Sequence, residues 1–202
     1  MSRSFATASL MGVLLIAGSA PALAQSPAPA QSFPTVELTA ARSVCEEKTG
    51  RVEVRRAMFG TNEDPSSWLD LGRSVELCRF QAEDGSSIFV DTITLASPTP
   101  TLASVAYLSK VAMAEYDPSR GNPATAYCED LAASSAFGPG GLGGGWVNLS
   151  DPVDTVVAMC VFPDGSMIDE WGLAYHSDGT IQGIDLTHEF VYAPADGLPP
   201  VF

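Results

Sequence analysis

The stretch Cys160-Val161-Phe162-Pro163-Asp164-Gly165-Ser166-Met167-Ile168-Asp169-Glu170-Trp171 decides how this chain is read. Its Asp-Gly pair signals a turn between β-rich segments, because glycine takes a positive φ without a Cβ clash. The same order stands earlier as Cys78-Arg79-Phe80 and then Asp84-Gly85-Ser86. Upstream, Cys128 precedes Cys160 by 32 residues and Cys45 precedes Cys78 by 33. Each of those earlier cysteines follows a helix-start signal by six residues, Thr39 before Cys45 and Asn122 before Cys128. Thr and Asn side chains accept hydrogen bonds from first-turn N–H groups, and Pro123 suits the first helical position, where its missing N–H costs nothing. Trp68-Leu69-Asp70-Leu71 and Trp146-Val147-Asn148-Leu149 add a further match in the same order. These spacings predict an internal repeat.

Each unit opens with a short helix. Its inner face is Ala41, Val44 and Cys45 in the first unit, and Ala124, Tyr127, Cys128, Leu131 and Ala132 in the second. Val52-Glu53-Val54, residues 75–80 and residues 156–162 read as strands, and Ser177-Asp178-Gly179 reads as a third turn leading into 180–186. The expected fold class is α+β, two tandem helix-plus-antiparallel-meander units over 36–97 and 121–202. Residues 98–120 link them, through the Pro/Thr/Ser cluster at 97–101 and a connecting helix over 102–114. That helix is expected to stop at Tyr116-Asp117-Pro118, since the residue before a proline avoids helical angles.

The chain has 202 residues, 46% of them hydrophobic, at a mean hydropathy of +0.13, so it can bury a core and is no disordered acidic tail. Residues 1–24 read as an export signal: Arg3, an apolar run over 10–17 too short to span a bilayer, and Ala22-Leu23-Ala24 before Gln25. No cysteine follows that cleavage site, so lipidation is not indicated. Residues 25–35 read as a flexible Pro/Ala/Ser/Gln lead-in. The expectation is an exported protein, periplasmic or secreted, with no later membrane span.

A net charge of −14 argues against nucleic acid, whose phosphates need Lys and Arg. Residues 25–120 carry nine Lys or Arg and thirteen Asp or Glu, whereas 121–202 carry eleven acids, His176 and His188, and no Lys or Arg. That second half keeps the protein in solution or meets a cationic partner, a basic protein surface or a divalent cation. Asp164, Asp169 and Glu170 are the candidate contacts, although they lack the spacing of the twelve-residue calcium loop.

Four cysteines in an exported chain, one pair per repeat, are expected to form the disulfides Cys45 to Cys78 and Cys128 to Cys160. A four-thiolate zinc site is the rival, but no C-x-x-C pair is present to supply it.

The second unit resembles a short bacterial envelope domain of unknown function often labelled a hemolysin. The resemblance rests on NPATAYC at 122–128 and CVFPDGSMIDEW at 160–171, and it extends weakly over 39–95 through the repeat. Two departures stand out. Ile168 and Asp178 occupy the places where such domains carry another cysteine pair, and Ala133-Ser134 replaces the usual Gly-Gly after the helix. No amphipathic pore-forming run or basic docking face accompanies the label.

Signals of catalysis are thin. There is no G-x-S-x-G elbow, and His188-Glu189 lacks the second histidine of a zinc-protease motif. The Gly-rich run at 138–145 lacks the Gly-Lys-Ser/Thr of a phosphate loop and reads as a loop before Trp146. His176 and His188 read as surface or strand residues, and the tryptophans as core packing. No cofactor is implied. The expected function is a non-catalytic binding module for an envelope or secreted partner. A structural or stress-related envelope component comes second and a hydrolase third.

Overall fold

A computed structural model describes residues 36–115, 117–135, 142–150 and 156–192. The export segment, the lead-in and residues 138–141 of the Gly-rich run lie outside these. In chain order come α1 (Leu38–Glu47), β1 (Arg51–Phe59), β2 (Leu69–Gln81), β3 (Ser87–Asp91), α2 (Thr92–Ala96) and α3 (Leu102–Ser109). Then follow α4 (Pro123–Asp130), β4 (Ser134–Ser135), β5 (Gly144–Val147), β6 (Met159–Val161), β7 (Met167–Asp169) and α5 (Glu170–Ser177). Helices mixed with antiparallel sheet make the fold α+β.

The strands form one seven-stranded sheet in the order β4-β6-β7-β3-β2-β1-β5, rather than a separate meander for each half. Its middle is the antiparallel pair β3 and β7, with Val90 opposite Ile168. From there β2 and β1 run outward on one side and β6 and β4 on the other. β5 breaks this arrangement by pairing with β1 at the far edge, where Trp146 lies opposite Ala57. The Trp68 and Trp146 segments are therefore not structural counterparts, since Leu69–Leu71 opens β2 whereas Trp146 lies on β5. Two features hold β5 there. Gly145 sits so close to the following segment that a Cβ would lie 2.5 Å from Val156 Cγ1. The Trp146 ring buries itself with Ala57, Leu77, Phe89, Val157 and Met159.

Alternation along the strands assigns these residues to one face and the main core to the other. On the core face, Cys78, Phe80, Ile88, Val90, Cys160 and Ile168 pack under side chains from all five helices. Both disulfides lie on this face, Cys45–Cys78 tying α1 to β2 and Cys128–Cys160 tying α4 to β6, with Cα separations of 5.7 and 5.6 Å. The opposite face carries Glu53 and Arg55. Arg55 is fully buried, donates to Glu53 Oε2 at 2.7 Å and stacks over Phe89 at 4.6 Å.

Local chemistry matches between the halves. α1 ends with Thr49 at φ 65° and Gly50 N–H donating to Cys45 O at 2.9 Å; α4 ends with Ala132 at φ 59° and Ala133 N–H donating to Cys128 O at 3.1 Å. At the turns, Ser86 N–H donates to Asp84 Oδ1 at 2.9 Å and Ser166 N–H to Asp164 Oδ1 at 3.0 Å, with Gly85 at φ 87° and Gly165 at φ 83°. Asp91 and Asp169 then cap α2 and α5, accepting from Thr94 N–H at 3.0 Å and Gly172 N–H at 2.7 Å.

Several expected boundaries move. α1 starts at Leu38 with an extended Glu37 before it, so Thr39 is inside the helix and caps nothing. Asn122 does cap α4, accepting from Ala124 N–H at 2.9 Å with Pro123 next. Leu131 is the C-cap of α4 and Ala132 lies past its end. α3 stops at Ser109, short of 114, because Lys110 takes the left-handed conformation at φ 48°. The segment after Asp169 is helix and not strand, since the Asp169 cap satisfies the first-turn N–H of Gly172. Trp171 is therefore helical, Asp178-Gly179 closes α5 instead of turning a hairpin, and 180–185 contains no strand.

Candidate functional site

Asp164, Asp169 and Glu170, neighbours in sequence, go to different places. Asp164 is exposed at the turn, where it accepts from Ser166 and, through Oδ2, from the N–H of Leu102 at 2.8 Å, so it holds the start of α3. Asp169 faces the strand surface opposite the helices. There it borders a 480 Å³ cleft with Arg79, Ser87, Phe89, Trp171 and Tyr175. Burial pushes its pKa up to about 7, working against the hydrogen bonds it accepts from Gly172 and Trp171.

Glu170, one residue further, is the first residue of α5 and points toward α4. It has no exposed surface. Its Oε2 accepts from Thr125 Oγ1 at 2.9 Å, whereas Oε1 has no hydrogen-bond partner among the described residues. A buried acceptor left in that state costs free energy on the order of 1–3 kcal/mol. Burial raises its pKa; the Ser135 hydroxyl, near the carboxyl though not in hydrogen-bonding geometry with Oε1, and the Thr125 hydroxyl oppose the rise, and the Glu129 charge adds to it.

Glu170 lines a cavity of about 560 Å³. α4 and its lead-in supply Asn122, Thr125, Glu129 and Arg120; β4 supplies Ser135; the loop between β1 and β2 supplies Thr61 and Asn62. Gly143 fits between them only as glycine, with φ 72° and a Cβ position 2.7 Å from Asn62 Cγ. Arg120, the one Lys or Arg among the described residues of this lining, is already engaged by Asp130 at 2.9 Å, Glu129 at 3.6 Å and the Ala126 carbonyl at 2.9 Å. Among the described residues no group of three or more His, Cys, Asp or Glu side chains could hold a metal ion. The joint calcium contact considered for Asp164, Asp169 and Glu170 is thus not assembled.

Of the two histidines, His176 departs from expectation and His188 does not. His176 is neither on the surface nor on a strand: it lies buried in α5, its ring stacked on Tyr107 at 3.7 Å and 7°. Among the described residues both its ring nitrogens are without a hydrogen bond, so no described carboxylate or hydroxyl orients it as a base. Burial lowers its pKa. His188 is exposed in the short helical turn Leu186–His188.

Glu170 stands out in the sequence by its charge beside Asp169, whereas its surroundings do not. Asn122 is legible as a cap, yet nothing in the sequence marks Thr61, Asn62 or Ser135, which meet at one cavity because β5 pairs with β1 and also bridges from Trp146 to Val157, just before β6, the neighbour of β4.

Fold and site together define an α+β, doubly disulfide-bonded protein with a buried carboxyl at a polar cavity. Comparison with protein-family models, curated proteins and solved structures finds no match to this chain.

Proposed function

We propose that this chain is an exported, non-catalytic binding module whose partner is cationic. Glu170 carries the reading: a fully buried carboxyl with an unpaired oxygen, lining a polar cavity in a half that has eleven acids and no Lys or Arg. Export is supported by the signal-like first 24 residues, by the resemblance to envelope domains, and by the disulfides, which persist in oxidising compartments. No described helix is long and apolar enough to cross a membrane.

The test immobilises the chain beginning at Gln25 and passes oligolysine or oligoglutamate over it at low and high salt. Binding of oligolysine alone, weakening as salt rises, supports the reading. Equal binding of both, or of neither, contradicts it. N-terminal sequencing of the native protein checks export, with Gln25 expected and an intact Met1 on cytoplasmic material contradicting it.

A further inference from the structure

We infer that the Glu170 cavity is a binding site for a primary ammonium group, held by Glu170 Oε1. The inference rests on the proposed cationic partner and narrows it to one site and one chemistry. The carboxyl lies wholly buried at the cavity wall, with Oε2 accepting from Thr125 and Oε1 without a hydrogen bond among the described residues, a state that a donor reaching Oε1 through a small side-chain movement would relieve. The cavity volume of about 560 Å³ suits a small ligand or a single long side chain.

The donor set selects among cations. A divalent metal is held best by several charged or imidazole ligands, and no group of three or more His, Cys, Asp or Glu side chains placed to hold one exists among the described residues. A guanidinium pairs best with both oxygens of a carboxylate, and here Thr125 already holds Oε2. An ammonium carries three N–H donors around a point charge. It can give one to Oε1 and the others to oxygens around it, for which Thr61, Asn62 and Ser135 line the same space. A quaternary amine has no N–H and would want aromatic faces, and the described lining has no aromatic side chain. Arg120 does not compete as an internal ligand, because Asp130 and Glu129 hold it.

Proton exchange gives the site a signature. Burial raises the pKa of the empty carboxyl and a bound ammonium lowers it, so at pH values between the bound and the empty pKa binding releases a proton and strengthens as pH rises. The charged groups around it are Glu129 and Arg120 from the α4 side and Asp169 next in the chain; Thr61, Asn62, Ser135 and Gly143 bring no charge.

Calorimetry on the mature chain tests this with N-acetyl-lysine amide as a side-chain source of ammonium and putrescine as a free one. N-acetyl-arginine amide and choline serve as controls. The expected result is binding of one or both ammonium probes in preference to the controls, with heats that vary with the buffer's ionisation enthalpy. Whichever ammonium probe binds identifies the source. Glu170→Gln, which keeps the shape, should weaken binding roughly tenfold or more and abolish proton release; Asp169→Asn should leave proton release in place. Ser135→Met, on a two-residue strand at the sheet edge, fills the cavity with the carboxyl retained and should also block binding, so the test survives a folding defect in Glu170→Gln. Absence of binding by both ammonium probes, or binding unchanged in Glu170→Gln and Ser135→Met, overturns the site. If oligolysine still binds those variants in a salt-dependent way, the site fails while the cationic-partner reading stands.

Discussion

The start of α2 and the start of α5 are built alike and filled differently. Each follows a central strand, each is capped by a buried aspartate, Asp91 or Asp169, and each opens with a fully buried residue that has an unpaired oxygen. In the first half that residue is Thr92; in the second it is Glu170. A hydroxyl can be buried without a partner at modest cost, whereas a carboxyl needs a proton or a cation. The difference teaches where to look for function: an identical cap serves structure near α2 and places an ionisable group against a cavity near α4.

The disulfides give the largest test of this comparison. They close segments of 33 and 32 residues, so each should contribute about 4 kcal/mol by the chain-entropy model. Replacing both cysteines of either pair by serine should lower the melting temperature by similar amounts, read by calorimetry. A loss confined to one pair would break the likeness of the halves.

Next come the caps. Burial raises Asp169 to about 7 and Asp91 to about 6, both above an unfolded value of about 3.9. A raised carboxyl pKa means that the fold binds the proton more tightly than the unfolded chain does. Each group therefore adds stability as pH falls from its folded pKa toward about 4, and is a burden above that pKa. Asp169→Asn should thus stabilise by roughly 2–4 kcal/mol at pH about 8 and leave stability unchanged near pH 4, by denaturant titration at both pH values. Asp91→Asn should do the same to a smaller extent. His176 acts in the opposite sense: its lowered pKa means stability is lost as pH falls below about 6.5.

A smaller contrast lies at the helix ends. A Cβ at Gly50 would run into Cys78 Sγ and come within 2.9 Å of the Phe80 ring, while its counterpart Ala133 already carries one. Gly50→Ala should cost roughly 1–3 kcal/mol and Ala133→Gly less than about 1, both by denaturant unfolding. Smallest is the turn pair. Asp164→Ala removes the acceptor for Leu102 N–H as well as the turn contacts and should cost about 1 kcal/mol. Asp84→Ala removes turn contacts within its own loop and should lower the melting temperature less.

The parts of this fold visible in sequence are those encoded within a few residues. The Asn122-Pro123 cap and the Asp84 and Asp164 turns depend on local spacing and emerge as expected; the cysteine pairings, over 33 and 32 residues, emerge because each half holds one pair. Pairing between distant strands is different. Nothing near Val90 or Ile168 says that they face each other, and so the single sheet was hidden behind two apparent meanders. The helix after Asp169 is hidden behind the β-rich run before it, because the Gly172 N–H that Asp169 caps is a backbone group with no signature in the sequence. Glu170 was picked for its charge; its burial depends on α4, which lies more than forty residues earlier.

A single sheet joined through Val90 and Ile168 should lose its structure as one unit. Hydrogen exchange of the Cys128→Ser, Cys160→Ser variant measures this directly, with the amides of β1 and β2 as the reporter in the half left untouched. One cooperative sheet predicts that protection in β1 and β2 falls together with that in β6 and β7, by the variant's global loss of stability. Protection of β1 and β2 held at the wild-type level while β6 and β7 exchange freely would contradict it.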